Sequence, residues 1–395
     1  MEIKRIQLID GMRGFSLLGI LLANLLIFQY GIWGKDEIHI YSLSGVDLMA
    51  YKFVKVAIEG SAMPIFTFLF GYSMVKMMES LKRNGVKARR HFARRFLLLL
   101  ILGLLHSFLL WEGDILSFYG VMGFFLLLFL KRSKKALLIW GTILLVLSFA
   151  LGYGVVEETP AEKEKMSNYV EATKTIYANG TYTEIMEQRN NEDPLIMPDY
   201  VYLILLLLSP FVTASLFLYG MYAAKSGLFT QPDKEKRMYQ KGVLLVPLGL
   251  LLKSAAVLMP ETDWTGVSGI IGASLLSVGY IFAFSLLYTW LPASKITTSF
   301  VQVGKMSLTN YLMQTVICTF VFYGYGLGLF GQLGVLNAIV FGIVIFLLQC
   351  MCSSWYMKRF RRGPIEQVLR MWTNWSWNGQ IRMKEPESFD RVEGL

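Results

Sequence analysis

Long apolar runs constrain this chain more than any other feature. A helix of ~20 apolar residues crosses a bilayer core. Such runs lie near 14–32, 61–78, 96–111, 115–130, 136–155, 200–223, 242–259, 267–290, 308–329 and 334–357. In hydrocarbon the backbone must bond to itself, so runs of this kind fold as packed helices. Composition agrees, since 54% of residues are hydrophobic and 17% charged, against about a quarter charged in soluble domains. The expected fold class is all-α, a polytopic integral membrane helical bundle of about ten transmembrane helices. The runs 96–111 and 115–130 are short and joined by "WEGD", which predicts a tight helical hairpin.

The loops orient the bundle. Basic residues cluster in 79–95, 131–135, 225–241 and 357–363, and these are every second loop. Lys and Arg favour the cytoplasmic side, so both termini are expected inside. The longest loop, 156–199, is acidic and is expected outside. This divides the chain into an N-terminal transmembrane bundle (1–155) with the hairpin, an acidic extracytoplasmic loop (156–199), a C-terminal bundle (200–363) and a cytoplasmic tail (364–395). The expected location is the cell membrane, with multiple passes and no cleaved signal peptide. Segment 45–60 fits either a separate amphipathic surface helix or an extension of the second span.

The net charge of +10 is distributed as this inside-positive pattern, so no nucleic-acid partner is expected. Cys318, Cys350 and Cys352 lie in apolar runs without metal or redox spacing and read as packing residues. Nucleophile-elbow, P-loop and H-E-x-x-H motifs are absent from the sequence, and no metal site is expected.

Polar residues inside a bilayer are costly and therefore candidates for function. Asp10, Arg13 and Asn24 fall near one helix face, and Asp10 and Arg13 can pair. They read either as a structural ion pair or as an entrance whose guanidinium meets phosphate. Glu59 precedes Gly60, Pro64 and a Phe-rich run, a pattern suited to a broken helix. His106 lies a turn or so below the expected outer surface, where an imidazole can transfer protons near neutrality. Asp114 opens the next helix as either its N-cap or a partner of His106. Ser307, Asn310 and Gln314 form a polar stripe that reads as helix–helix glue or as hydrogen-bond donors.

Five blocks, "RIQLIDGMRGFSLLGILLANL", "EGSAMPIFTFLFGYS", "RRFLLLLILGLLHSFLLWEGDIL", "VGKMSLTNYLMQTVI" and "GPIEQVLR", occur in the order seen in YeiB-type bacterial membrane proteins. The resemblance covers most of the chain outside the acidic loop. That family resembles a larger transmembrane acyltransferase superfamily that includes lysosomal heparan-α-glucosaminide N-acetyltransferase. By matching position, His106 takes the family's membrane histidine, with Gly113 and Asp114 as the following Gly-Asp. Asp10, Arg13 and Asn24 take the first-helix motif, Glu59 and Gly60 an acid–Gly pair, and Asn310, Tyr311 and Gln314 the C-terminal motif. Many relatives carry a basic residue after the acid–Gly pair where this chain has Ser61, which puts the donor or acceptor preference in question.

The resemblance implies an acyl-CoA-dependent acyltransferase. Acyl-CoA, acetyl-CoA in the first instance, would be a co-substrate from the cytosol, with no tightly bound cofactor. The acceptor would be a glycan, peptide or lipid-linked molecule on the outer side. His106 and Asp114 are the expected catalytic pair, by direct transfer or through an acyl-histidine. Asp10, Arg13, Asn24, Glu59, Arg94, Arg95, Ser307, Asn310 and Gln314 are the expected substrate-binding set. A proton-coupled transporter and a receptor or assembly scaffold are the rival classes. The lipid bilayer is a partner in every case, and a homodimer is compatible with the sequence.

Overall fold

The computed structural model describes residues 6–155, 157–195 and 198–379. The expected tail 364–395 therefore lies partly outside the described residues. The helices are α1 (Gln7–Tyr30), α2 (Gly45–Ala57), α3 (Ala62–Arg83), α4 (Ala88–Leu109), α5 (Leu116–Leu126), α6 (Lys134–Leu151), α7 (Pro160–Asn179) and α8 (Tyr182–Asn191). They continue as α9 (Asp199–Lys225), α10 (Pro232–Gly242), α11 (Leu245–Leu258), α12 (Thr265–Trp290), α13 (Lys295–Lys305), α14 (Ser307–Phe322), α15 (Val335–Arg359) and α16 (Pro364–Asn374). No strand occurs among the described residues. Each of the ten apolar runs is helical, and seven helices among the described residues are long and apolar enough to cross a membrane. The chain is thus an all-helical membrane bundle.

Outward faces are apolar. Ile139, Ile143 and Val146 on α6, and Val340, Leu347 and Met351 on α15, are largely exposed, as lipid-facing positions must be. Association between such helices depends on close packing, and glycines supply it. A Cβ on Gly304 of α13 would overlap the Asp10 carbonyl of α1, and one on Gly14 would overlap the Phe300 carbonyl. Gly71 of α3 and Gly220 of α9 make the same reciprocal approach, to the carbonyls of Phe217 and Phe68. These two crossings join the first quarter of the chain to its second half.

Of the two forms open to segment 45–60, the structure shows the separate helix, since α2 ends at Ala57 and Gly60 adopts φ +70 before α3 begins. Four carbonyls around the break are met by side chains. Tyr280 hydroxyl donates to Ala57 at 2.9 Å, Lys253 ammonium to Glu59, Ser277 hydroxyl to Ser61 at 2.8 Å, and Ser16 hydroxyl to Ala62 at 2.8 Å. Three helices, α1, α11 and α12, thereby fix an interruption that bare hydrocarbon would not tolerate.

The acidic segment 156–199 is more ordered than a loop. Thr159 with Glu162, and Thr181 with Glu184, form reciprocal capping boxes that start α7 and α8. α8 folds back over the end of α4. Arg189 donates to the Phe108 carbonyl at 2.7 Å and the Leu110 carbonyl at 3.0 Å, and Tyr182 hydroxyl to the Leu109 carbonyl at 2.8 Å. These are carbonyls that the last turn of α4 leaves without helical partners. Tyr177 of α7 packs against Tyr323 and Phe330, with ring centroids 4.9 and 5.2 Å away.

Two expectations follow. Gly304→Val forces α1 and α13 apart and lowers stability by about 1–3 kcal/mol, read as a fall in thermal unfolding temperature in detergent. Gly269→Ala, whose new methyl meets only Ala256 at 3.6 Å, leaves that temperature unchanged. Arg189→Ala removes charged hydrogen bonds worth about 1.5–3 kcal/mol each. Amide exchange across 160–191 therefore speeds up while that of α1 and α13 does not, and equal protection in both proteins would contradict the docking described.

Candidate functional site

The hairpin between α4 and α5 is closed by small residues and a carboxylate. Gly103 lies one turn before His106, and a Cβ there would overlap the Ser117 backbone nitrogen and approach Asp114 Oδ2. α4 ends at Leu109, and the amides of Leu110 and Trp111 both turn back to the His106 carbonyl, at 2.9 and 3.0 Å. Trp111 is fully buried and stacks on Phe28 of α1 with centroids 4.1 Å apart.

Asp114 occupies both of the roles left open by the sequence. Its Oδ2 accepts from the Ser117 amide and the Ser117 hydroxyl, each at 2.8 Å, which caps the start of α5. Its Oδ1 lies 2.9 Å from His106 Nδ1. The other ring nitrogen, Nε2, lies 3.0 Å from Thr315 Oγ1 on α14. Side-chain exposure is 2% for His106 and 1% for Asp114. Tyr311, one turn before Thr315, closes the site beside the imidazole. Its ring centroid is 5.5 Å from that of His106, and its hydroxyl accepts from the Ile115 amide at 3.3 Å. A line of carboxylate, imidazole and hydroxyl therefore runs from the hairpin to α14.

Chemically, this arrangement selects one tautomer when Asp114 is ionised. An ionised carboxylate accepts only, so the proton on His106 resides at Nδ1, and Nε2 presents its lone pair to the hydroxyl. The imidazole is then a base aimed at a single group.

The other residues singled out by the sequence are placed elsewhere. Asn310 and Gln314 face α15. Gln314 amide donates to Gln349 Oε1 at 2.8 Å, Gln349 to the Asn310 carbonyl at 2.9 Å, and Asn310 to Ser353 Oγ at 3.0 Å. Their side chains tie two helices together rather than meeting His106. Ser307 starts α14, whose first amides are received by Glu366. Its Oε1 accepts from Leu308 and Thr309 at 2.7 and 3.1 Å, and Thr309 hydroxyl donates to Oε2 at 2.6 Å. Asn24 is half-buried and forms no hydrogen bond among the described residues.

Glu59 belongs to an ion cluster at the far end of α1 from Asp10. Lys35 lies 2.9 Å from Glu59 Oε1 and Lys55 2.7 Å from Oε2, while both lysines reach Asp36 at 2.6 Å. Burial works to raise the Asp36 carboxyl, but Lys55 and Lys35 outweigh it and hold Asp36 below its ordinary value. Glu112 lies nearby under α7 with one oxygen lacking a hydrogen bond among the described residues, and burial pushes its carboxyl above the usual range.

At the basic end, Arg13 pairs with Asp10 at 2.9 Å and also donates to Ser73 of α3. Arg95 lies within electrostatic reach of Arg13 and Glu366. Arg94 packs over Trp375 at 5.3 Å, and its carbonyl receives Trp372 Nε1 at 3.0 Å. A groove of about 310 Å³ opens here between α4 and α16, lined by Lys87, Arg90, His91, Arg94, Asn374 and Trp375 among others.

Sequence reading missed Thr315, Lys253 and Glu366. Thr315 lies four residues after Tyr311, the spacing that sets both on one helix face, and this was the available signal. Among the described residues, no group of histidine, cysteine or acidic side chains is arranged to hold a metal ion.

Comparison with known proteins gives the lineage. Residues 223–376 match the family described as "Protein of unknown function (DUF418)". YxaH of Bacillus subtilis (strain 168) is 34% identical over 394 residues, covering 95% of each chain. YeiB of Escherichia coli (strain K12) is 25% identical over 385 residues, covering 92% of this chain and 95% of that one. A 39.9 kDa protein encoded 3′ of an amylase in Bacillus acidopullulyticus is 26% identical over 373 residues, covering 94% of both. No solved structure matches the chain. With a relative this similar along nearly the whole length, and the DUF418 match within it, the chain belongs to the YeiB-type family of membrane proteins.

Proposed function

We propose that this protein is a membrane acyltransferase. It moves an acyl group, acetyl in the first instance, from cytosolic acyl-CoA to a glycan, peptide or lipid-linked acceptor approached from the other side. The observation that carries the reading is the buried His106, held by Asp114 at Nδ1 with Nε2 directed at a hydroxyl. An oriented, water-shielded base of this kind is what acyl transfer needs to deprotonate an oxygen or nitrogen nucleophile. Asp114 keeps the tautomer and stabilises the imidazolium that forms when the base takes a proton.

The basic end supports the donor's side. In the cell membrane it faces the cytosol by the inside-positive preference. Lys87, Arg90 and Arg94 in the groove supply cations for the phosphates of CoA, and Trp375 supplies a flat apolar face. Arg13, already fixed by Asp10 and Ser73, adds a guanidinium deeper in the bundle. From Arg94 to His106 is twelve residues along α4, a rise of about 18 Å, the kind of span that CoA's pantetheine arm bridges between nucleotide and thioester. Glu59, in its lysine cluster at the opposite end, then lies on the acceptor's side.

Purified protein incubated with radiolabelled acetyl-CoA and a lipid or glycan extract tests this. The wild type transfers label to an extract component. His106→Ala lowers the rate by about 10²–10⁴-fold, and Asp114→Asn, which still caps α5, lowers it less. Undiminished transfer by His106→Ala would falsify the assignment, and proton-driven solute uptake without acyl-CoA consumption would favour a transporter.

A further inference from the structure

Thr315 stands where a catalytic triad carries its nucleophile. His106 joins Asp114 Oδ1 at 2.9 Å on one side and Thr315 Oγ1 at 3.0 Å on the other. With the ring proton held at Nδ1, Nε2 is the acceptor and the Thr315 hydroxyl the donor. A hydroxyl in contact with a base that an acid orients is an activated nucleophile, whatever fold supplies it.

A second observation separates Thr315 from hydroxyls that only satisfy their own helix. Such side chains bond back to the carbonyl four residues earlier. Ser285 does so at 2.6 Å and Thr373 at 2.5 Å. Thr315 meets the Tyr311 carbonyl only at 3.5 Å, so its short contact is with the imidazole on another helix. Thr315 is also 1% exposed and lies at the middle of the sixteen-residue α14. The backbones of α4 and α14 touch little, and side chains bridge them at this level.

We propose that Thr315 is the acyl carrier, an inference that rests on the acyl-transfer reading and supplies its missing intermediate. In the first half-reaction, His106 Nε2 takes the hydroxyl proton as Thr315 Oγ1 bonds to the thioester carbonyl carbon. The carbon–sulfur bond breaks, the thiolate leaves with the proton from His106 as CoA thiol, and an ester remains on Thr315. In the second half-reaction, His106 deprotonates an acceptor hydroxyl or amine, whose oxygen or nitrogen bonds to the ester carbonyl. The carbon–oxygen bond to Thr315 breaks, and the proton returns from His106 to the Thr315 hydroxyl. The two substrates need never occupy the site together, which suits a donor and an acceptor that arrive from opposite sides.

The test uses the full-length protein in detergent with acetyl-CoA and no acceptor, quenched in acid and mapped by tandem mass spectrometry. The wild type carries an acetyl group on Thr315, Thr315→Ser carries it on the serine, and Thr315→Val and His106→Ala carry none. With acceptor added, Thr315→Val turns over about 100-fold or more slowly than the wild type, although valine preserves the shape of threonine. Transfer by Thr315→Val within about threefold of the wild type, with His106→Ala inactive, removes the carrier and leaves the acyltransferase standing. Acetyl found on His106 instead, or on neither residue in a protein that transfers, has the same meaning. No transfer by the wild type overturns both. Should Thr315→Val fail to fold, the wild-type and Thr315→Ser maps decide alone.

Discussion

A carboxylate is expensive to bury in an apolar bundle unless its oxygens are engaged, and Asp114 engages both. One oxygen receives the Ser117 amide in the first turn of α5 together with the Ser117 hydroxyl, and the other receives the imidazole of α4. The same group therefore starts one helix and orients a side chain on the previous one. Gly103 is needed for this, because any side chain there would push α5 away from α4 and part the carboxylate from the ring. Local helix chemistry and site chemistry are a single arrangement. Substitutions at Asp114 consequently act on hairpin geometry and on His106 together, and the amide of asparagine separates the two by keeping one acceptor.

The long apolar runs made the bundle readable, because hydrocarbon leaves few alternatives to helix. The break after Glu59 was readable for the same reason, from Gly60 within an otherwise spanning stretch. Less of 156–199 was legible. Its charge directed attention to solvent, although Thr159/Glu162 and Thr181/Glu184 each carry the threonine-to-glutamate spacing of a helix start. Asn310 and Gln314 form a true polar stripe, but periodicity fixes only a face and not the neighbour it meets, which proves to be α15. Thr315, on the adjoining face with Tyr311, is the residue that reaches His106. The four-residue spacing from Tyr311 sets Thr315 on that face but does not name its partner, which lies 209 positions away.

The two ends of the bundle are stabilised by different means. At the far end of α1 from Asp10, Lys35 and Lys55 are compensated within one cluster by Asp36 and Glu59, and carbonyls around the α2–α3 break are met by Lys253 and hydroxyls. Side chains there satisfy one another. At the basic end the first turns of α4 carry Arg89, Arg90, Arg94 and Arg95, cations at the positive end of a helix dipole. Glu366 is an acid in that region, and it is committed to the amides that begin α14. This concentration of positive charge is consistent with the inside-positive pattern of the loops.

The cover formed by α7 and α8 bears on how a site this enclosed can turn over. Arg189 and Tyr182 hold the end of α4, less than a turn beyond His106, through its carbonyls, while Ile185 and Tyr177 anchor the same segment in the core. Opening this attachment exchanges side-chain hydrogen bonds for water, whereas at the glycine crossings beneath it backbone meets backbone. For an acyl-transfer site the two requirements conflict: the thioester must be kept from water, and an acceptor must be admitted. A polar, outward-facing attachment above a dry, rigid hairpin meets both. The Asp114 contact that orients the ring is made within the hairpin itself, apart from the Arg189 and Tyr182 attachment.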